Sequence, residues 1–180
     1  MKSNQDKPSL VITIPSSFGL DFAYQTRSRT TLGVLIQLFS EAKERVVIAA
    51  PFISLNKNNL FNNELTEVIS RTLVRGVGID VLSTGTSLNN YDWISDNWTF
   101  EGNFNLYRPS ENISDESRLG SHAKFCIMDG ISAYVGSANL TGPGLSSQLE
   151  LGLLVHGDIA HQLQEFWDYS IETGLFVLVS

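Results

Sequence analysis

The sequence predicts an α/β fold with a mixed β-sheet flanked by helices. Short apolar runs typical of buried strands alternate with longer segments whose apolar residues repeat at helical spacing. Two strands late in the chain are joined by a short turn, which indicates a hairpin and therefore a mixed sheet. The chain has 180 residues, 42% of them apolar, which suffices for the core of one domain. We place that domain at 10–180, after a flexible terminus at 1–9.

Three segments carry the apolar periodicity of helices. Thr30 or Thr31 can cap the first, because a threonine hydroxyl accepts a hydrogen bond from a free amide of the first turn. Gly76 can end the second, since glycine adopts the left-handed conformation common after a helix. The predicted helices run from 30 or 31 to about 45, from 60 to 74 and from 159 to 169.

The predicted strands are short and mostly apolar. The run 46–50 is continuously apolar and closed by Pro51, which is typical of a strand buried on both faces. The full set of predicted strands is 46–50, 79–82, 104–107, 122–128, 133–135 and 149–155.

Two stretches lack a clean period. We expect a loop or short helix at 83–102 and a loop at 112–120. Tyr91, Trp93 and Trp98 in the first stretch could stack nucleic-acid bases, but we favour a role in pinning that stretch to the core.

Composition restricts the classes of protein. The single cysteine, Cys126, allows no intrachain disulfide and no cysteine-rich zinc site, and a small buried thiol is its expected state. The apolar run 10–14 is too short for a secretory signal, and no run approaches the roughly 20 residues that cross a bilayer. We therefore expect a soluble, cytoplasmic protein without a membrane span.

The net charge of −7 disfavours a broad basic surface for nucleic acid. Any nucleic-acid site must therefore be locally basic. The candidate contributors are Arg27, Arg29, Arg71, Arg75, Arg108, Arg118 and Lys124, each of which could instead be an ordinary solvated side chain.

The chain contains one motif of reactive residues, His122-x-Lys124-x4-Asp129-x6-Gly136-Ser137-x-Asn139. His122 and Lys124 are two apart on a predicted strand, so their side chains share a face. The Asp129–Gly130 pair signals a turn, and Gly136 lets the backbone approach a phosphate closely. A hairpin would thus gather an imidazole, an ammonium, a hydroxyl and an amide at one end of the sheet.

These residues resemble the HKD signature of the phospholipase D superfamily. The resemblance implies a phospholipase-D-like α/β sandwich and a two-step displacement in which His122 attacks phosphorus and water releases the phosphohistidine. Glu150 lies where that family often has a carboxylate partner for the histidine, and such a partner would orient the ring for attack. Lys124, Ser137 and Asn139 can donate to the phosphate oxygens as charge builds, so no metal and no cofactor is expected.

The remaining candidates have supporting roles. Asp129 belongs to the catalytic set of the motif, but it lies at the turn, and we expect it to bond the hairpin backbone or the dimer partner. Arg118, Ser121 and Gly136 are candidates for substrate binding, although Ser121 could be an ordinary loop serine. His156 and His161 lack a lysine two residues on, and we interpret them as surface or helix-terminus residues.

The motif fixes the reaction class and leaves the substrate open. We favour an endonuclease acting on DNA or RNA, because this chain resembles the small single-motif bacterial nucleases of the superfamily or the phospholipase-D-like component of anti-phage systems such as DISARM. A lipid or small-molecule phosphodiesterase and a non-catalytic subunit of a nucleic-acid complex are the alternatives. One motif per chain predicts a homodimer with a composite active site, because the second histidine must come from a symmetric partner.

Overall fold

The computed structural model describes residues 7–53, 60–84, 103–110 and 121–179. These residues form one nine-stranded sheet with five helices. In chain order the elements are β1 Ser9–Thr13, α1 Gly19–Thr26, β2 Arg29–Thr30, α2 Thr31–Glu41, β3 Arg45–Ala49, α3 Leu60–Val74, β4 Gly78–Leu82, β5 Phe104–Pro109, β6 Phe125–Met128, β7 Ser132–Gly136, α4 Gly142–Ser146, β8 Glu150–His156, α5 Asp158–Glu172 and β9 Phe176–Leu178.

The sheet is mixed, as predicted. Its strand order is β2-β1-β8-β7-β6-β3-β4-β5-β9. Strands β1 and β2, β3 and β4, and β4 and β5 run parallel, whereas the other neighbouring pairs are antiparallel. The central strands β6, β7 and β8 therefore form an antiparallel unit, with β6 beginning where β7 ends.

Two hydrophobic cores cover the two faces of this sheet. Cys126 and Met128 of β6 face the first core, which α2 and α3 close, and Phe125 and Ile127 face the second, which α5 closes with Trp167. This alternation follows from the two-residue repeat of a strand. The predicted fold class, a mixed sheet flanked by helices, is confirmed.

Most element boundaries differ from the prediction by a few residues. The predicted first helix ends at Glu41 because Arg45 already pairs with Gly78 as part of β3, so its extension to residue 45 was wrong. Thr30 caps that helix, its hydroxyl accepting from the Gly33 amide at 3.2 Å. His122 and Lys124 precede β6 and are not part of the strand predicted at 122–128.

Several short elements went unpredicted, among them β1, α1, β2, α4 and β9. These elements have two to eight residues, and β2 and β9 are the two edge strands of the sheet, where the apolar pattern is weak. The loop predicted at 112–120 and nearly all of the stretch 83–102, with Tyr91, Trp93, Trp98 and Arg118, lie outside the described residues. Among the helices of the described ranges, none combines the length and apolarity needed to cross a bilayer.

A buried carboxylate fastens α5 to the sheet. Asp80 on β4 is only 4% exposed and accepts hydrogen bonds from Asn105 Nδ2 at 2.9 Å and from Trp167 Nε1 at 3.3 Å. Arg45 Nη1 lies 3.9 Å from the same carboxylate, and Arg45 Nη2 is paired with Asp168. The interior acceptor therefore fixes the position of Trp167, the largest fully buried side chain among the described residues.

We predict that Asp80→Ala and Asp168→Ala differ sharply in stability. Removing the Asp80 carboxylate leaves buried donors without an acceptor and should lower the free energy of unfolding by about 3 kcal/mol or more. Asp168 is 52% exposed at its side chain, and its loss should cost less than about 1 kcal/mol. Urea denaturation measures both; equal losses would contradict the anchoring role of Asp80.

Candidate active site

The motif residues meet at one end of the central antiparallel unit, which we call the motif end. Here the Gly136 amide, at the end of β7, donates to the Lys124 carbonyl at 3.1 Å, and the Ser137 amide donates to the Leu151 carbonyl at 2.9 Å. Glu150 begins β8 beside them. Backbone pairing of three neighbouring segments thus brings together residues that are far apart in the sequence; His122 and Glu150, for example, are separated by 28 positions.

His122 and Lys124 are in direct contact. The Lys124 Nζ atom lies 3.2 Å from Nδ1 and 3.4 Å from Nε2 of His122, and it donates to the His122 carbonyl at 3.1 Å. His122 itself is exposed, whereas Lys124 is only 6% exposed. The arrangement therefore presents an accessible imidazole whose neighbour is a buried, positively charged group.

The ammonium of Lys124 is under two opposing influences. Burial lowers its pKa, because a cation is less stable away from water, and the negative charge of Glu150 raises that pKa in part. Glu150 therefore supports the charged form of Lys124. A charged donor of this kind is suited to a phosphate oxygen.

Ser137 and Glu150 form a second polar pair at the motif end. The Ser137 hydroxyl donates to the Glu150 carboxylate and accepts from the Leu151 amide at 3.1 Å. Within the described part of the chain, the carboxylate is bonded to Ser137 and not to His122. The predicted role of Glu150 as partner of His122 stays a prediction. In that role the Glu150 carboxylate would have to give up its hydrogen bond from Ser137 and accept one from His122.

Gly136 is a glycine for a steric reason. A Cβ atom at this position would lie 2.2 Å from the Tyr134 hydroxyl and 2.8 Å from the Leu151 carbonyl oxygen. The Tyr134 ring also covers Gly152, the cross-strand partner of Gly136, where a Cβ atom would lie 2.4 Å from the ring. Sequence reasoning missed Tyr134 as a neighbour of the motif, although the facing glycines of β7 and β8 carry the signal.

Asn139 is held close to the start of α4. Its backbone carbonyl approaches Gly144 so closely that a Cβ atom there would be 2.5 Å away. Its side-chain Oδ1 atom is buried and has no hydrogen-bond partner among the described residues. The predicted donation of the Asn139 side chain to phosphate stays a prediction.

Asp129 lies at the other end of the hairpin, which we call the turn end. Its carboxylate accepts hydrogen bonds from the amides of Lys43, Glu44 and Arg45 at 2.9, 3.0 and 2.8 Å. Its backbone has a positive φ of 52°, a conformation that Asp and Asn tolerate better than most residues. Through these three hydrogen bonds, the Asp129 carboxylate joins the hairpin to the backbone at the junction of α2 and β3, which lies outside the hairpin.

The other candidate residues are spread over the molecule. Ser121 is half-buried beside His122 and accepts from the Ala123 amide at 3.4 Å. Burial raises the pKa of the Cys126 thiol, which is fully enclosed in the first core. His161 is exposed on α5, and His156 is half-buried at the end of β8, two residues before α5, with its Nδ1 atom 2.7 Å from the Ser132 hydroxyl.

The predicted basic residues do not form one cluster. Arg29 bonds Gln37, Arg71 pairs with Glu67, and Arg75 donates to the Phe39 carbonyl at the C-terminal end of α2. Arg27 is exposed at the end of α1, and Arg108 lies on β5, three strands from β6. Of the candidate cations in the described ranges, Lys124 is the one that contacts a motif side chain. The described residues contain no group of three or more His, Cys, Asp or Glu that could hold a metal ion.

Comparison with known proteins supports the resemblance seen in the motif. A family profile described as "Cardiolipin synthase, PLD-like domain" matches residues 35–169. The DISARM protein DrmC of Bacillus paralicheniformis is 25% identical over 160 residues, which cover 87% of this chain and 60% of that protein. This chain therefore spans less than two thirds of the length of that relative.

Two solved structures share the fold over nearly their whole length. NucT from Helicobacter pylori superposes with a TM-score of 0.65 at 16% identity, covering 97% of this chain and 98% of the other. Nuc, a phospholipase D family member from Salmonella typhimurium, gives a TM-score of 0.62 at 14% identity and covers 96% and 99% of the two chains. The described fold is thus that of a phospholipase-D-like domain.

We predict that Asp129→Ala destabilises the protein more than Asp129→Asn. The alanine variant loses all three acceptor contacts and disfavours a positive φ, so the free energy of unfolding should fall by about 2–3 kcal/mol. Asparagine keeps one acceptor oxygen and the backbone preference, so about half of that loss is expected. Chemical denaturation of both variants decides it; an alanine variant as stable as the parent chain would contradict the linking role.

Proposed function

The chain belongs to the phospholipase-D-like family of the phospholipase D superfamily of phosphodiesterases, and we propose that it hydrolyses nucleic acid without a metal ion through a covalent intermediate on His122. The observation that carries the proposal is the contact of the exposed His122 imidazole with the buried Lys124 ammonium at 3.2 Å, within a complete motif. An accessible nucleophile beside a preorganised cation suits attack on an anionic phosphodiester.

The proposed reaction has two displacements at phosphorus. A nitrogen of His122 bonds to phosphorus while the bond to the leaving oxygen breaks, and that oxygen takes a proton from the partner's His122. Water then attacks phosphorus, the phosphorus–nitrogen bond breaks, and a proton of the water returns to the partner's His122. Both imidazoles end in their starting states.

Charge on the phosphate oxygens would be met by side chains. Lys124 supplies a cation and Asn139 an amide donor, and loss of one such donor typically costs roughly 10²- to 10³-fold in rate. Ser137 would add a third donor if its hydroxyl turned from the Glu150 carboxylate to a phosphate oxygen. Asp129 has no step in this scheme, because its carboxylate is bonded at the turn end.

Nucleic acid is the substrate that the comparisons favour. The chain matches NucT and Nuc over almost their full length, in agreement with the resemblance to small single-motif nucleases. Similarity to a DISARM protein supports a role in anti-phage defence or DNA processing. We propose that the chain acts there in the cytoplasm, within a larger defence complex. The family description names cardiolipin synthase, so a lipid phosphodiester is the second candidate and belongs in the same assay.

A symmetric homodimer would supply the second histidine. One face of β1, β7 and β8 carries exposed apolar side chains next to the motif end, with Leu153 of β8 paired with Val135 on one side and Leu10 on the other. Leu151, also exposed, adjoins Ser137. An apolar patch beside an incomplete site is suited to an isologous interface, and we propose that the second copy binds there.

We predict that His122→Ala abolishes hydrolysis, with a fall of about 10⁴-fold or more, because it removes the covalent nucleophile. The assay offers single- and double-stranded DNA, RNA and phosphatidylcholine vesicles in excess chelator, where the parent chain should cleave nucleic acid at full rate. His161→Ala, an exposed histidine on α5, is the matched control and should remain active. Loss of activity in chelator with recovery in magnesium would contradict the proposal, and a parent chain inert on every substrate would indicate a non-catalytic subunit.

We predict that Glu150→Gln moves the alkaline limb of the pH–rate profile to lower pH. Burial lowers the pKa of Lys124 and the Glu150 charge raises it, so removing that charge lets the ammonium lose its proton earlier as pH rises. Glu165→Gln, an exposed glutamate on α5, serves as control and should leave the profile in place. An alkaline limb unmoved in Glu150→Gln would show that this carboxylate does not support the charged lysine.

We predict that mixed dimers of the parent chain with His122→Ala lose activity on nucleic acid but cleave an aryl phosphodiester. A nucleic-acid alkoxide needs a proton to leave, whereas an aryl oxide departs without one. Purified heterodimers carrying two different tags allow the comparison. A protein that sediments as a monomer at assay concentration and is fully active would overturn the composite site.

A further inference from the structure

A cleft opens at the turn end of the sheet, away from the motif. Its volume is about 630 Å³, within the range typical of small-molecule sites. It lies between α2 and the ends of β6, β7 and β8. Ser132 of β7 and His156 of β8 line it, whereas Gly136 and Glu150 lie at the opposite, motif end of these two strands. Ser132 and Gly136 are four positions apart on β7, which is roughly 13 Å along the strand.

The sheet wall of the cleft is polar where an apolar surface is expected. Ser132 and His156 are cross-strand partners, and the Ser132 hydroxyl lies 2.7 Å from His156 Nδ1. They share the face on which Tyr134 and Leu154, the next pair along these strands, belong to the first core. A hydroxyl and an imidazole on this otherwise apolar face indicate a wall that can hydrogen-bond to a polar ligand.

The opposite wall has a positive and a negative end. Gln37 of α2 accepts from Arg29 Nη2 at 2.5 Å through its amide oxygen and donates to Glu41 Oε1 at 2.9 Å through its amide nitrogen. The Gln37 amide thus lies between the guanidinium of Arg29, which extends from the edge strand β2, and the carboxylate of Glu41 on α2. Arg29 keeps further N–H donors, and Glu41 keeps a second oxygen, so both can still bind a ligand.

The floor between these walls is apolar. Leu38, Met128 and Leu154 line the cleft and are each at most 6% exposed. Apolar side chains with hydrogen-bonding groups around them suit a heteroaromatic ring.

We propose that this cleft binds a nucleoside monophosphate whose base carries an exocyclic amine. The phosphate pairs with the Arg29 guanidinium, the base lies on the apolar floor, and the exocyclic amine donates to the Glu41 carboxylate. Ser132 and His156 offer further hydrogen bonds from the sheet wall. A free aliphatic amino acid has a carboxylate and an ammonium that could pair with the same two groups, but it lacks a ring to lie on the floor. The site is separate from the motif, so it does not depend on the proposed hydrolysis.

Isothermal titration calorimetry of the full chain with AMP, CMP, GMP, UMP, adenosine and inorganic phosphate tests the proposal. The three amino-bearing nucleotides should bind at least about tenfold more tightly than UMP, which lacks the amine, and than adenosine, which lacks the phosphate. Arg29→Gln should weaken AMP binding by about tenfold or more. Lys43→Gln is the matched control: it removes one positive charge from an exposed residue two positions beyond Glu41 and outside the cleft.

Two further measurements keep the outcome decisive. Glu41→Ala should bind AMP and UMP with equal affinity, because the acceptor for the amine is gone. In the parent chain, AMP should shift the backbone amide resonances of His156 and Gly157, a result that needs no variant to fold. The proposal is overturned if no nucleotide binds at millimolar concentration, if Lys43→Gln weakens binding as much as Arg29→Gln, or if His122→Ala abolishes binding, which would put the nucleotide at the motif.

Discussion

The backbone pairing between Lys124, just before β6, and the end of β7 is the constraint on which the site depends. The Gly136 amide donates to the Lys124 carbonyl, and the Ser137 amide donates to the carbonyl of Leu151 on β8. Three chain segments are thereby fixed side by side, and they contribute His122 with Lys124, Ser137 and Glu150 to the motif end. Gly136 is the position that allows this approach, because the Tyr134 hydroxyl and the Leu151 carbonyl occupy the space that a side chain would need.

The same pairing determines the electrostatics of the site. Lys124 is buried by its place beside β7, which lowers the pKa of its ammonium, and Glu150 is close enough to oppose that shift. Burial raises the free energy of a charged group, and it also strengthens the attraction of that charge for an anion, because less water screens it. Glu150 offsets only part of the Lys124 charge, so an anionic phosphodiester beside His122 would be attracted to that ammonium. Lys124 would then contribute both to substrate binding and to stabilisation of the transition state.

The sequence allowed prediction of those features that depend on strong patterns. The buried strands around Val47 and Val81, the hairpin and the gathering of His122, Lys124 and Ser137 at one end all follow from apolar runs and from spacing. Contacts set by rotamers or by distant segments did not follow. The pairing of Ser137 with Glu150, the capping of the segment after α2 by Asp129 and the inward-facing His156 each depend on tertiary neighbours that no local pattern reveals.

The proposed mechanism depends on a covalent bond between His122 and phosphorus during turnover. The most direct measurement is rapid mixing with a short DNA or an aryl phosphodiester, followed by quenching in alkali, in which phosphohistidine survives, and mass spectrometry of the peptides. We predict an adduct on His122 in which phosphorus keeps its second ester group, and this adduct should form and decay at least as fast as product appears. Product formation without any adduct, or with the adduct on another residue, would contradict it.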